Sequence, residues 1–370
     1  MIALRQAQDY DVAVIGAGIA GASIAAELAP HARVLIAEAE DTPGYHTTGR
    51  SAAFFHECYG GPQVAPLSLA SGPPLRELGV LSTRGSLYIA RAQDAPMLEQ
   101  YVARFAGNGV VIERFGRAEL DRRIPGLRPA WTLALYEPAC ADIDVAALHQ
   151  HYLAEAKRAG AELRLSARLE AAEREGDGWR LSLSRAGEAR ARILVNAAGA
   201  WADEIAGLAG ARPLGIAPLR RTIVQLRTDP PPPADLPLVL DINSQFYFKP
   251  EHGRLWLSPE EETPTPPCDA APEEIDVAIA IDRFEQVVDW RVAAVERKWA
   301  GLRSFAPDRL PVYGLDPRRE GFFWFAGQGG FGIQTAPAAA RLAAQLLLAL
   351  PRDSMTEALD AALYSPARFD

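Results

Sequence analysis

The sequence predicts an α/β protein: a discontinuous, Rossmann-like nucleotide-binding domain carrying an inserted α+β domain built on an antiparallel sheet. Three observations lead there. Residues 11–38 pass from a buried apolar stretch, DVAVIGAG, through an Ala-rich segment, IAGASIAAELAP, to a second apolar stretch, ARVLIAE. That switch of period marks a βαβ unit. The same strand, glycine, helix order returns in ARILVNAAGAWADEIAGLAG, and again in GFFWFAG, QGGFG and the apolar run to Leu350. Between these returns, RTIVQLR, SQFYFKP and RLWLSP alternate as half-buried antiparallel strands do. At 370 residues the chain is too long for one core. The expected division is 1–85, 145–212 and 311–370 for the nucleotide domain, with 86–144 and 213–310 forming the insert.

Taken in chain order, Asp144 is expected to N-cap a helix reaching Arg158, with Gly160 closing it. AELRLSARLEAAEREGDGWRLSLSR then reads as strands joined by a Gly-Asp-Gly turn. The Pro-rich stretches TDPPPPADLP (228–237) and PEEETPTPPCDAAP (259–272) read as surface loops, too stiff and polar for a core. Residues 274–299 read as a helix, interrupted or double. No repeat of solenoid period is visible.

Charge and cysteine usage narrow the function classes. A net charge of −9 argues against a nucleic-acid or polybasic membrane partner, while leaving room for a small anionic substrate met by a few buried arginines. Cys58, Cys140 and Cys268 are widely spaced and form no CxxC pair, so neither a disulfide framework nor a zinc site is expected. A reducing, cytoplasmic setting follows. MIALRQAQDYDVAVIGAG contains no apolar h-region, so no signal peptide is expected, and the apolar tract at 346–350 is too short to span a bilayer. His149 and His151 lie two apart on a helix and face different ways, so no metal is expected there.

Gly16, Gly18 and Gly21 form GAGIAG, a full GxGxxG between strand and helix. The first glycine makes the turn, the second admits a pyrophosphate to the backbone, and the third lets helix meet sheet. Glu38 closes the next strand, where an acid accepts from ribose hydroxyls. The fingerprint alone leaves NAD and FAD both open. Gly44, Gly49, Arg50, Ser51, Ala52 and Ala53 supply small residues and a cation as a second approach, although a Gly/Ser crossover loop would read the same way. Gly327, Gly329, Gly330 and Gly332 offer a third, where helix amides can stabilise negative charge. Three glycine-rich approaches favour the longer cofactor, FAD.

DVAVIGAGIAGAS with GYHTTGRSAA, LVNAAGAWADEIAGLAG, WAGLRSFAPDRLPV and FAGQGGFGIQTAPA resemble, in order and spacing, the D-amino-acid oxidase superfamily of FAD enzymes, nearest to bacterial D-amino-acid dehydrogenases of the D-arginine dehydrogenase type. The resemblance covers essentially the whole chain. It implies non-covalent FAD, since no cysteine stands in GLRSFAPDRLPV, where flavinylated relatives carry one. Around GAGIAG it adds Ile19 and Ala20 to the cofactor site, Ala39 after the acid, and Thr48 before Gly49. Farther along it adds Ala198, Gly199 and Trp201, then Phe331, Ile333 and Gln334. Ser51 and Ala52 would lie at the reactive edge of the flavin ring, which explains why the side chains of GRSAA stay small.

For the substrate, the resemblance assigns Arg221 and Arg303 to the carboxylate, Tyr59 and Tyr247 to phenolic hydrogen bonds, and Gln334 or the backbone at Gly330 to substrate or ring. A guanidinium fork suits a carboxylate bidentately, yet nothing local singles out these two among 38 basic residues. Where arginine- and lysine-preferring members carry a carboxylate this chain has Ser86, and where they carry a pocket histidine it has Phe54. Neutral, apolar D-amino acids are therefore the expected substrates. The implied reaction is hydride removal from Cα to flavin N5, then hydrolysis of the imino acid to a 2-oxo acid and ammonia, with no dedicated base. Sarcosine, glycine or a 2-hydroxy acid would use the same anchor, and an NAD(P)-dependent dehydrogenase would instead be colourless. The acceptor, oxygen or a quinone-like molecule, stays open. For His46 and His56, a flavin or substrate contact and a hydrogen-bonded structural role both stand.

Overall fold

The computed structural model describes residues 9–370. The reading of the first eight residues as no leader lies outside the described residues. Two sheets organise the molecule. The first has eight strands. At its centre Tyr10–Ile15 runs parallel to Val34–Ala37 on one side and to Gly187–Asn196 on the other. Gly187–Asn196 changes partner along its length: its first half pairs antiparallel with Gly178–Leu183, and its second half pairs parallel with Phe322–Ala326. Leu169–Glu175 joins Gly178–Leu183 through the tight turn at Gly176 and Asp177.

From Val12 to Ile15 the central strand is buried on both faces, so those four residues are apolar without a break. Val12 and Val14 enter a core with the helices Ile19–Leu28 and Gly332–Leu348. Ala13 and Ile15 enter the opposite core, with Trp179, Trp324 and the helix Ala202–Leu208. Asp144 caps the helix Val145–Arg158 by accepting from Ala147 N at 2.9 Å.

The second sheet has ten strands, running from Gln328–Gly329 and Arg291–Phe305 through Ala217–Asp229, Arg254–Ser258, Tyr247–Glu251 and Leu238–Asp241 to Ser86–Arg91, Trp131–Glu137 and Glu113–Gly116. One face packs Val224, Leu226, Phe248 and Leu257 against the helix Glu274–Glu285. A small third sheet, Phe54–Phe55, Ala141–Ile143 and Leu81–Thr83, lies between chain segments of the two larger ones.

Two expectations are corrected. The helix read over 274–299 stops at Glu285, and Arg291–Phe305 is a fifteen-residue strand. It pairs with Ala217–Asp229 from Ala217↔Phe305 to Asp229↔Arg291. Its Ala, Glu, Arg and Lys favour a helix, but the long ladder outweighs local propensity. Likewise 259–272 is not merely a surface loop: the Glu260 and Glu261 side chains are only 13% and 12% exposed, and Thr263–Pro264 adds a short strand.

Candidate active site

Gly16 has φ +99°, and a Cβ there would stand 2.7 Å from Ala197 O. A Cβ on Gly21 would fall on Gly16 O, so helix and strand meet only through glycine. Gly18 caps the helix Ile19–Leu28 without a side-chain hydrogen bond. Phe331 does the same for Gly332–Leu348. Gly16, Gly18, Gly330 and Gly332 line one cleft, which therefore receives two helix N-termini.

Around that cleft the 44–53 segment is tied down on two sides. Thr48 Oγ1 accepts from Ile19 N at 3.0 Å, and Gly49 N donates to Gly44 O at 2.8 Å. Thr47 Oγ1 donates to Leu302 O at 2.8 Å, and Trp299 Nε1 to Arg50 O at 2.9 Å. Arg50 lines the cleft, but its guanidinium pairs with Asp269 and donates to Ala270 O at 2.9 Å and Ala300 O at 3.2 Å. Read from sequence as a cation for the cofactor, it staples this segment to the second sheet.

Glu38, 8% exposed, ends its strand on the cleft wall. Its Oε2 accepts from Ala17 N at 2.7 Å and its Oε1 from Glu40 N at 3.0 Å. His149, set aside in the sequence, fixes the same loop from below. Its Nε2 lies 2.7 Å from Ala17 O, so that nitrogen carries the proton, and burial lowers its pKa. Its place one turn into a capped helix was legible in the sequence; its contact with the glycine loop, 132 residues away in the chain, was not.

Sheet alternation builds the other end of the cleft. The register Leu219↔Arg303 and Arg221↔Gly301 puts both arginines on one face. Ile223, Tyr247, Leu240 and Tyr88 continue that face across the neighbouring strands, because Tyr247 pairs with Leu240 and Leu240 with Tyr88. Arg221, Tyr247 and Arg303 reach the cleft. Phe54 packs edge-on to Tyr247 with ring centres 5.6 Å apart, and Arg303 lies 5.7 Å from the Tyr59 ring centre. A Cβ on Gly330 would be 3.0 Å from Arg303 Cζ, so glycine there keeps the guanidinium accessible. Burial raises the Tyr247 pKa, and its phenol stays a donor at neutral pH.

Other predicted residues are placed differently. Ala20, Ala39, Ala198, Gly199, Trp201 and Ile333 line the cleft, with Ser51 and Ala52. Ala53, Phe54 and Gln334 line a small cavity opening beside Tyr247 and Arg303. Gln334 is 2% exposed and bonded to the His56 backbone in both directions and to Ser68 Oγ at 2.7 Å. These bonds let it position the Phe54–His56 segment. Phe331 packs in a core with Val64, Phe305 and Leu310, and Gly327 turns the chain before it at φ +72°. Ser86 is fully buried, set back from the cleft wall and two residues from Tyr88. Opposite it in register stands Glu137, buried, accepting from Glu57 N at 2.6 Å and 3.3 Å from His56 Nδ1. His56 is held neutral chiefly by burial, against the pull of Glu137.

Sequence reasoning also missed Glu260. Its carboxylate is 3.7 Å from Arg221 Nη1, and Glu261 and Glu262 approach the same guanidinium at 4.0 and 3.6 Å. Burial first of all raises the Glu260 carboxyl, to about 7, against the pull of Arg221 and Arg303. Only the run of three glutamates could have flagged it.

Two helix N-termini, a glycine loop and a ribose-side acid define a dinucleotide site, and an arginine-bearing sheet face at its far end defines an oxidoreductase cleft. The chain belongs to the FAD dependent oxidoreductase (DAO) family, whose model matches residues 11–346. It is 30% identical to FAD-dependent oxidoreductase domain-containing protein 1 of Xenopus laevis over 48% of this chain and 38% of that protein. It is 27% identical to hydrogen cyanide synthase subunit HcnC of Pseudomonas aeruginosa over 75% of this chain and 64% of that one. The matches thus span less than two thirds of these two relatives. Among solved structures, L-proline dehydrogenase from P. horikoshii superposes with TM-score 0.85 at 22% identity, covering 98% of both chains. Glycine oxidase from Geobacillus kaustophilus gives 0.82 at 26%, covering 96% of this chain and 98% of the other. The protein is an FAD-dependent oxidoreductase, and its glycine cradle, where a Cβ at Gly16 or Gly21 would meet backbone, fits that cofactor.

Proposed function

We propose that the enzyme oxidises small neutral amino acids, preferably apolar ones of D configuration, to 2-oxo acids and ammonia. The observation carrying this is Arg303: among the described residues it makes no ion pair, and it reaches the cleft beside the aromatic wall of Phe54 and Tyr247. An α-carboxylate fits the guanidinium bidentately, with Tyr247 as a further donor, and Arg221 stands on the same face. The side chain lies toward Phe54, Tyr88 and Leu240. Fixing carboxylate and side chain leaves one Cα hydrogen directed at the cofactor, which makes stereoselectivity a consequence of the anchor. Bound non-covalently, FAD supplies the two-electron acceptor. Glu38, the two helix N-termini and the 44–53 segment would hold it. Water then hydrolyses the imino acid.

A second reading is supported by the 26% identity to glycine oxidase: glycine or an N-substituted small amino acid on the same anchor. Electrons then pass to oxygen or a quinone-like acceptor. Among the described residues no helix is long and apolar enough to cross a membrane. The test is anaerobic mixing of the yellow holoenzyme with D- and L-amino acids, glycine, sarcosine and 2-hydroxy acids. Bleaching by D-leucine, D-methionine or D-phenylalanine but not their L-forms is expected; bleaching by glycine or sarcosine alone would transfer the function to the second reading.

A further inference from the structure

Arg221 and Arg303 are equivalent by position, yet their surroundings differ. Arg303 makes no ion pair among the described residues, whereas three successive glutamates turn toward Arg221. Arg221 Nε donates to Glu261 O at 2.8 Å, while its Nη1 is buried without an acceptor. Glu260 Oε1, at 3.7 Å from that Nη1, stands just outside hydrogen-bond reach. Glu260 also has φ +56°, left-handed backbone that a side chain seldom adopts, and its N donates to Ser258 Oγ at 3.2 Å. Strain of this kind, beside an unsatisfied guanidinium on a ligand cleft, marks a position held for function.

We propose that Glu260 sets, through Arg221, how many guanidinium groups the site offers a carboxylate. Ionised Glu260 holds Arg221 to the 260–262 loop and leaves the ligand to Arg303; neutral Glu260 releases Arg221 to share it. Glu260 is thus a positioning residue, and the inference rests on the anchor described under the proposed function.

The groups facing Glu260 come from several elements. Arg221 and Arg303, from the two long paired strands, favour its anion, and Asp241 and Glu262 oppose it. Tyr88, a strand further on, also feels its charge. Burial is the largest influence and lifts the carboxyl to about 7, so both forms are populated near neutral pH. A carboxylate that prefers neutral Glu260 takes up a proton when it binds. Its affinity therefore falls as pH rises through 7.

Benzoate, unreactive and with an apolar ring for the aromatic wall, is the probe, its binding to holoenzyme followed by perturbation of the flavin spectrum. The wild-type Kd is expected to weaken by up to about tenfold from pH 6 to pH 8, the limit for one linked proton on a group whose pKa is about 7. Glu260→Gln should bind tightly with a flat profile, and Arg221→Met should bind more weakly than wild type at pH 6, also with a flat profile. An unchanged slope in Glu260→Gln, or weaker binding than wild type at pH 8, would overturn the inference. If Glu260→Gln does not fold, the wild-type and Arg221→Met profiles decide. Binding lost in Arg303→Met yet indifferent to Glu260→Gln sinks only the role of Glu260; no benzoate binding in any of them sinks the anchor as well.

Discussion

The nucleotide half and the substrate half place their functional groups by opposite means. In the first, a few consecutive residues suffice. Gly16, Gly18 and Gly21 bring strand, turn and helix together within one short segment, and Ile19 N is met by Thr48 from the following loop. In the second, each group comes from a different strand, and only the ladder aligns them. Arg221, Arg303, Tyr247 and Tyr88 share a face because five pairings hold register at once. A one-residue slip would turn the whole set toward the core. The first kind of site is robust to distant change and fragile to local bulk; the second is the reverse.

That contrast breaks most sharply at Gly21. A Cβ there collides with Gly16 O, which is backbone and cannot step aside. Gly21→Val is therefore expected to lose at least about 3 kcal/mol and with it FAD, read as colourless or insoluble protein. Yellow, folded protein would show that the turn is more compliant than its geometry.

Arg303→Met tests the other half. The strand and its register should survive, so the flavin spectrum is expected to stay while kcat/KM falls by about 100- to 1000-fold, in the range for removing one partner of a charged pair. Arg303→Lys should recover part of the loss, since an ammonium cannot make the bidentate contact. Loss of flavin in the Met variant would mean the two halves are less separable than proposed.

A smaller effect comes from the helix that supports the glycine loop. Asp144→Ala removes the N-cap bond to Ala147 N and is expected to cost about 1 kcal/mol in denaturant unfolding without changing substrate specificity.

The smallest is a pH effect. His149 has its pKa lowered by burial, so the unfolded state binds the proton more readily. Its contribution to stability is present above the unfolded value near 6.5 and lost as pH falls through the folded value. His149→Gln should flatten that acid limb of the stability profile; an unchanged limb would assign it elsewhere, His56 being the other buried histidine with a lowered pKa.

Much of the nucleotide side was legible, because turn chemistry acts over a few residues. The βαβ unit, the Asp144 cap and the hairpin at Gly176 and Asp177 each follow from local rules. Arg291–Phe305 was not legible as a strand: its composition suits a helix, and its partner lies some seventy positions earlier at Ala217–Asp229. Nor could the sequence tell Arg50 from a cofactor ligand. Beside the Asp269 carboxylate, its acceptors Ala270 O and Ala300 O are backbone atoms of distant segments that any residue type could supply.

By itself the sequence determined the FAD-binding class of fold and the glycine cradle, since glycine is required wherever a Cβ would meet backbone, whatever surrounds it. Only the tertiary structure decided which arginine stands open and which is ringed by glutamates. Burial and charge are sums over neighbours, and the neighbours of Arg221 and Arg303 are chosen by the sheet register.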